Sequence, residues 1–289
     1  MSRTMLTTAC CHVTRTSQPF VERAVQLAAE LQPQVLRRLR SGSEQERWRS
    51  LAAAVGVATE TELPDEDFAD QCAQSLACGT AVVALAGPLL QQDAVRAWVL
   101  NHANPLWQVL IEESFALSPE QGTSADEASP TPGTSEPILA FYEAFLARHD
   151  QRRRKRHGVF YTPPPMARYM LSQVDRYLAE EFGLADGLAD EVTWGEMTKR
   201  FPSLVPPATV QPGDAFVRML DPALGTGVFL AEAIKLAHAR LTAKWTAEGE
   251  DADHVARRWD EYAAVRLLPR LIGLELMLPA CVVATLKLV

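Results

Sequence analysis

The chain lacks any excess of positive charge: 28 Lys and Arg stand against 36 Asp and Glu, for a formal net charge of −8. That excludes a basic coat protein held to nucleic acid by charge alone. Cysteine is scarce. Cys10, Cys11, Cys72, Cys78 and Cys281 show no CxxC spacing, and His12 beside Cys11 has no further Cys or His at ligand spacing, so the pattern of a metal site or a disulfide scaffold is missing and a reducing cytoplasm is the simplest location. A long apolar run is missing too. The uncharged interval between Asp70 and Asp93 is broken by Gln71, Gln74, Pro88, Gln91 and Gln92, which makes it a buried helix and leaves no membrane partner. The first residues, MSRTMLTTACCHVTR, have no apolar core of the kind a signal peptide needs. What is present is ordinary globular material: 289 residues, 47% hydrophobic and 22% charged, enough for one or two domains with a sizeable core and incompatible with wholesale disorder.

Residues 1–117 read as a helical region. FVERAVQLAAELQ, SEQERWRSLAAAV, DEDFADQCAQSLACGTAVVALA and QQDAVRAWVL carry helical periodicity, and no strand-like alternation competes. Residues 118–137, SPEQGTSADEASPTPGTSEP, hold few large apolar groups and much Pro, Ser, Thr, Gly and acid, the composition of a flexible linker. In ILAFYEAFLARHD, Ile138, Tyr142, Phe145 and Leu146 share one face and predict a packed helix. The segment QRRRKRH, with Arg152, Arg153, Arg154, Lys155 and Arg156, is the densest positive charge in the chain. It reads equally as a solvated face or as a patch that contacts phosphate. In GVFYTPPPMARYMLSQVDRYLAEEF, Thr162 can cap a helix opening on prolines, with Met166, Met170, Val174 and Leu178 as its buried stripe.

The chemistry lies in FVRMLDPALGTGVFLAEAIKLAHARL. Residues 216–220 predict a short buried strand, residues 221–227 a glycine-containing turn, and the residues from Val228 to about Lys244 an amphipathic helix. Gly225 and Gly227 remove side chains where a ligand would lie against the backbone, and the helix start offers N–H groups and a positive dipole end to an anion. Asp221 stands at the carboxyl end of the strand. A second strand is predicted over LPRLIGLEL, residues 268–276, ending near Glu275, where nucleotide sites of doubly wound sheets place the acid that holds ribose hydroxyls. The interval from Gly227 to Glu275 is much longer than the roughly 20 residues of dinucleotide folds, so an extra helix near residues 252–265 must intervene.

Three blocks in this order, GVFYTPPPMARYM, DPALGTGVFL and IGLELMLPACVVATLKL, resemble the amino-group DNA methyltransferases that use S-adenosylmethionine, specifically the adenine-N6 enzymes of large restriction–modification and phage-defence systems. Upstream, QCAQSLACGTAVVAL, NPLWQVLIEES and PILAFYEAFLARHDQRRRKRHGVFYTP are similar to the helical region that precedes the methyltransferase domain in those proteins. The resemblance implies an α/β fold, a helical N-terminal region followed by an incomplete Rossmann-like parallel sheet with flanking helices, with residues 138–289 as the N-terminal portion of the methyltransferase domain. It implies S-adenosyl-L-methionine as cofactor. Tyr161, Thr162 and Pro163 would border its methionine portion, Asp221, Pro222, Gly225 and Gly227 would line the loop beneath the amino acid and sulfonium, and Glu275 would accept hydrogen bonds from the ribose.

The family's catalytic Asn-Pro-Pro-aromatic turn follows the ribose acid, and the sequence ends at Val289 before any such turn. No catalytic residue is assigned. Asn104-Pro105-Leu106-Trp107 is a near match, but Leu106 replaces the second proline, and a helix capped by Asn104 with Pro105 in its first turn accounts for it. The sequence therefore predicts the cofactor-binding portion of an adenine-N6 enzyme, truncated or split, with double-stranded DNA and a complementing downstream segment as partners. Two alternatives stand: a non-catalytic interaction protein, and an NAD-type Rossmann enzyme, which the long interval before Glu275 and the YTPPP block disfavour.

Overall fold

Apolar residues at helical spacing carry most of this chain into helix. The computed structural model describes residues 3–59, 64–86, 97, 99–100, 105–117, 136–149 and 162–288. Its elements are α1 (Arg3–Arg40), α2 (Gln45–Thr59), α3 (Asp65–Ala86), α4 (Pro105–Leu117), α5 (Glu136–His149), α6 (Pro164–Phe182), α7 (Trp194–Arg200), β1 (Met219–Asp221), α8 (Val228–Ala247), α9 (Ala252–Tyr262), β2 (Leu271–Gly273) and α10 (Leu278–Lys287). Among the described residues the architecture is helical with one two-stranded parallel sheet. The predicted residues Tyr161, Arg152, Arg153, Arg154, Lys155, Arg156 and Asn104, and most of the segment 118–137, lie outside the described residues.

Contacts divide the chain into one unit of Met1–Tyr161 with Glu275–Val289 and a second of Thr162–Leu274. These limits differ from those suggested by composition, because α5 packs with α1 and α3, and α10 with α3 and α4.

The first unit is built on one apolar cluster. Val21, Ala24, Ala28, Leu31, Val35 and Leu39 form an unbroken buried stripe down α1. On α5, Tyr142, Phe145 and Leu146 are buried as their spacing predicts, Ile138 is only partly buried, and Phe141, not among the predicted residues, is buried with them. The part of α3 that follows Asp70 carries no charge and is buried from Cys72 through Val83, as a helical stretch with no charged face can be. Close approach is possible at Gly79, where a Cβ would fall 2.2 Å from Ser114 Oγ and 3.0 Å from Val282 Cγ1. Burial pushes the Cys72 and Cys78 thiols well above their ordinary range, and Cys281 up to about 12, which makes all three inert. No helix among the described residues is long and apolar enough to cross a membrane.

The second unit contains the βαβ element. β1 and β2 pair in parallel with Met219 opposite Leu271, Leu220 opposite Ile272 and Asp221 opposite Gly273. Both strands are shorter than predicted. Before β2, residues 263–270 form a π-turn (Ala263–Leu267) and a 3₁₀ turn (Leu268–Arg270), where buried Arg270 donates to Asp190 O and, at 2.7 Å, to Tyr262 Oη. The inserted α9 is present where the long interval required it.

One expectation fails on α6. Met166, Met170 and Val174 are exposed, and the buried face is Ala167, Leu171 and Asp175. The helix has two apolar stripes, and the one containing an acid is turned inward because that acid finds partners there. Thr162 does not cap the helix either. Pro163 is the N-cap (φ −60°, ψ 137°), with no side-chain capping bond.

Candidate functional site

The loop of residues 221–227 is fastened to both strands. Leu274 N donates to Asp221 O at 2.9 Å, Leu224 N donates to Leu274 O at 2.8 Å, and Gly227 N donates to Leu224 O at 2.8 Å. Gly225 (φ 54°) and Gly227 (φ 72°) sit in the left-handed region that favours glycine. Leu224 is accommodated because β2 ends in glycine: a Cβ on Gly273 would fall 2.7 Å from Leu224 Cδ2. The sequence reading missed this fit between DPALG and GLEL, although a glycine ending a strand marks a close approach.

Gly227 is also the N-cap of α8 and, being glycine, supplies no side-chain cap. The amides of the first turn have no intrahelical acceptor by the geometry of any helix start. At the strand end, Asp221 Oδ1 accepts from Ala223 N at 3.1 Å. Its other oxygen, Oδ2, is buried and has no hydrogen-bond partner among the described residues. Buried carboxylate oxygens without donors are rare enough to require a reason.

Two ion pairs join α6 to α8 and define their direction. Nearer the starts of both helices, Glu232, 3% exposed, accepts from Arg168 Nε and Lys235 Nζ, each at 2.9 Å. Further along both, Asp175 accepts from Arg240 Nη1 at 2.9 Å and from Leu188 N at 2.9 Å. Gly187 (φ 54°) makes room for this pair, since a Cβ would fall 2.1 Å from Asp175 Oδ1. Because the partners advance together, from 168 to 175 on one helix and from 232 to 240 on the other, α6 and α8 run parallel. Thr162 and Pro163 therefore lie at the same end of the helix pair as Gly227. Burial alone would raise the Glu232 carboxyl, but the hydrogen bonds from Lys235 and Arg168 outweigh it and hold the group below the ordinary 4.5. The signal for Glu232 was legible: it is an acid within the apolar run VFLAEAI.

Of the predicted residues, the structure brings Asp221, Pro222, Gly225 and Gly227 into one loop and places Thr162 and Pro163 at the matching end of α6. Glu275 opens the last segment of the first unit, directly after Leu274, and its Oε1 accepts from Met277 N at 2.9 Å. Pro105 begins α4, as expected for a proline in the first turn. A separate groove of about 480 Å³ in the second unit carries none of these residues. Its charges largely satisfy one another: Lys244 pairs with Asp186 at 2.6 Å and Arg266 with Glu191 at 3.2 Å. No cluster of metal-ligating side chains occurs among the described residues.

No family model, curated protein or solved structure matches this chain.

Proposed function

We propose that the loop 221–227 binds the methionine end of S-adenosylmethionine, and that the chain is the cofactor-binding portion of an adenine-N6 DNA methyltransferase of the restriction or phage-defence kind. The observation that carries the reading is Asp221 Oδ2, a buried acceptor at the carboxyl end of a parallel strand without a donor among the described residues. A zwitterionic amino acid fits that surrounding. Its ammonium would satisfy Asp221, and its carboxylate would meet the helix starts at Gly227 and Thr162–Pro163. The glycines at 225 and 227 admit the ligand against the backbone. The βαβ element is then read as the beginning of a Rossmann-like sheet, whose ligands sit beyond the carboxyl ends of the strands. Glu275 is assigned the ribose hydroxyls on the three-block resemblance. Arg152, Arg153, Arg154, Lys155 and Arg156 are assigned DNA phosphates, and the setting is a reducing cytoplasm.

The cofactor would supply an activated methyl group. The residues present would bind and orient it, and no proton transfer is assigned to any of them. Transfer to a flipped adenine requires a further group to grip the exocyclic amine.

Calorimetric titration of S-adenosylmethionine into the chain is the test. Saturable binding, weakened at least tenfold in Asp221→Asn and unaffected by NAD, is expected. Absence of heat, or displacement by NAD, overturns the assignment.

A second reading is favoured by the exposure of Leu220, 55% exposed on β1. Parallel sheets are normally covered on both faces. One half of a split methyltransferase, completed by a partner chain bearing the Asn-Pro-Pro-aromatic turn, would show this bare residue. Co-expression with such a chain restores methylation on this reading; methylation by the 289-residue chain alone excludes it.

A further inference from the structure

We infer that the Arg168–Glu232–Lys235 cluster positions the segment at Thr162–Pro163 against the glycine loop, and so sets the affinity for the amino-acid end of the cofactor. The inference rests on the cofactor reading above and deepens it. Glu232 lies in the second turn of α8, which starts at Gly227, and Arg168 lies in the second turn of α6, which starts just after Pro163. At about 1.5 Å of rise per residue, each partner is within roughly 8 Å, along its own axis, of the helix start it controls. Neither side chain needs to touch the ligand to act.

The geometry separates this pair from its neighbour along the same two helices. Asp175–Arg240 lies farther from the helix starts and is tied to Leu188 N beside Gly187, which gives it a purely structural part. Glu232 is instead the only buried charged group at the loop end of the helix pair among the described residues. Its carboxylate is shared between Arg168 on the facing helix and Lys235 on its own, so α6 is held by a directed, charge-assisted bond from a planar guanidinium. Lysine at 168 would keep the charge and lose that directionality.

The test uses the full chain, S-adenosylmethionine and adenosine. Arg168→Gln is expected to weaken S-adenosylmethionine on the order of tenfold, the lower end of the effect of removing an outer-shell partner that orients a metal ligand, while adenosine affinity changes less than about twofold. Arg168→Lys should recover part of the loss. Glu232→Gln, nearly isosteric, should show the same selectivity and provides the measurement if Arg168→Gln fails to fold. Arg240→Gln should lower the thermal midpoint without altering the ratio of the two affinities. Equal weakening of both ligands, or no weakening of S-adenosylmethionine, overturns the positioning role while leaving the cofactor reading intact. A wild-type chain that binds neither ligand overturns both.

Discussion

The two units solve the same problem of burial in opposite ways. In the first, Trp48, Phe68, Phe141, Tyr142, Phe145 and Leu110 are enclosed, and helices approach closely at Gly79 and Ser114. In the second, the apolar clusters are smaller, two ion pairs hold α6 to α8, and Met166, Tyr169, Met170, Val174 and Tyr177 remain exposed along one helix. Apolar packing is non-directional, whereas buried ion pairs fix direction and register. Ion pairs occur in both units, but among the described pairs only those of the glycine-loop unit close on buried acids, Glu232 and Asp175, which suits a site that must keep two helix starts in place.

The largest effect that would sharpen this contrast is at Asp175. Asp175→Ala removes the acceptor of both Arg240 and Leu188 N and should cost the second unit about 3 kcal/mol, read as faster amide exchange within residues 162–274. In the first unit, Gly79→Val forces atoms into Ser114 and Val282 and should cost about 1–3 kcal/mol, read as a lower denaturant midpoint with unchanged slope. Acid provides a subtler probe. The folded Glu232 carboxyl titrates below its unfolded value, so its contribution is complete above pH 4.5 and is lost as pH falls through the depressed value. Glu232→Gln should flatten that acid limb of the stability profile, and an unchanged slope would show that the carboxylate contributes nothing. The smallest effect belongs to Met170→Gln, which should shift stability by less than about 0.5 kcal/mol because the side chain is exposed. A loss of 2 kcal/mol or more would restore Met170 to a buried stripe.

Legibility in the sequence followed the nature of the forces. Strand, glycine loop, α8 and the inserted α9 were readable because periodicity and glycine report local geometry directly. The first helical segment read from the sequence, FVERAVQLAAELQ, ends at Gln32, yet α1 continues through Pro33 to Arg40 because Val35 and Leu39 extend the buried stripe and tertiary packing outweighs the lost backbone bond. The face of α6 was misread for a similar reason. Nothing near Asp175 in sequence announces Arg240 or Leu188, so hydrophobicity favoured the other stripe. Of the candidate site, the loop was visible as a motif, whereas the Leu224–Gly273 fit and the Arg168–Glu232 pair depend on contacts between distant segments and appeared only with the fold.

The shared direction of α6 and α8 has an energetic consequence. Antiparallel neighbours cancel each other's macrodipoles, but these two crowd their positive poles together at one end. Part of the ion-pair energy between them offsets that mutual repulsion. An anionic group arriving at that end would relieve it, so occupancy should tighten the whole helix pair and not the loop alone.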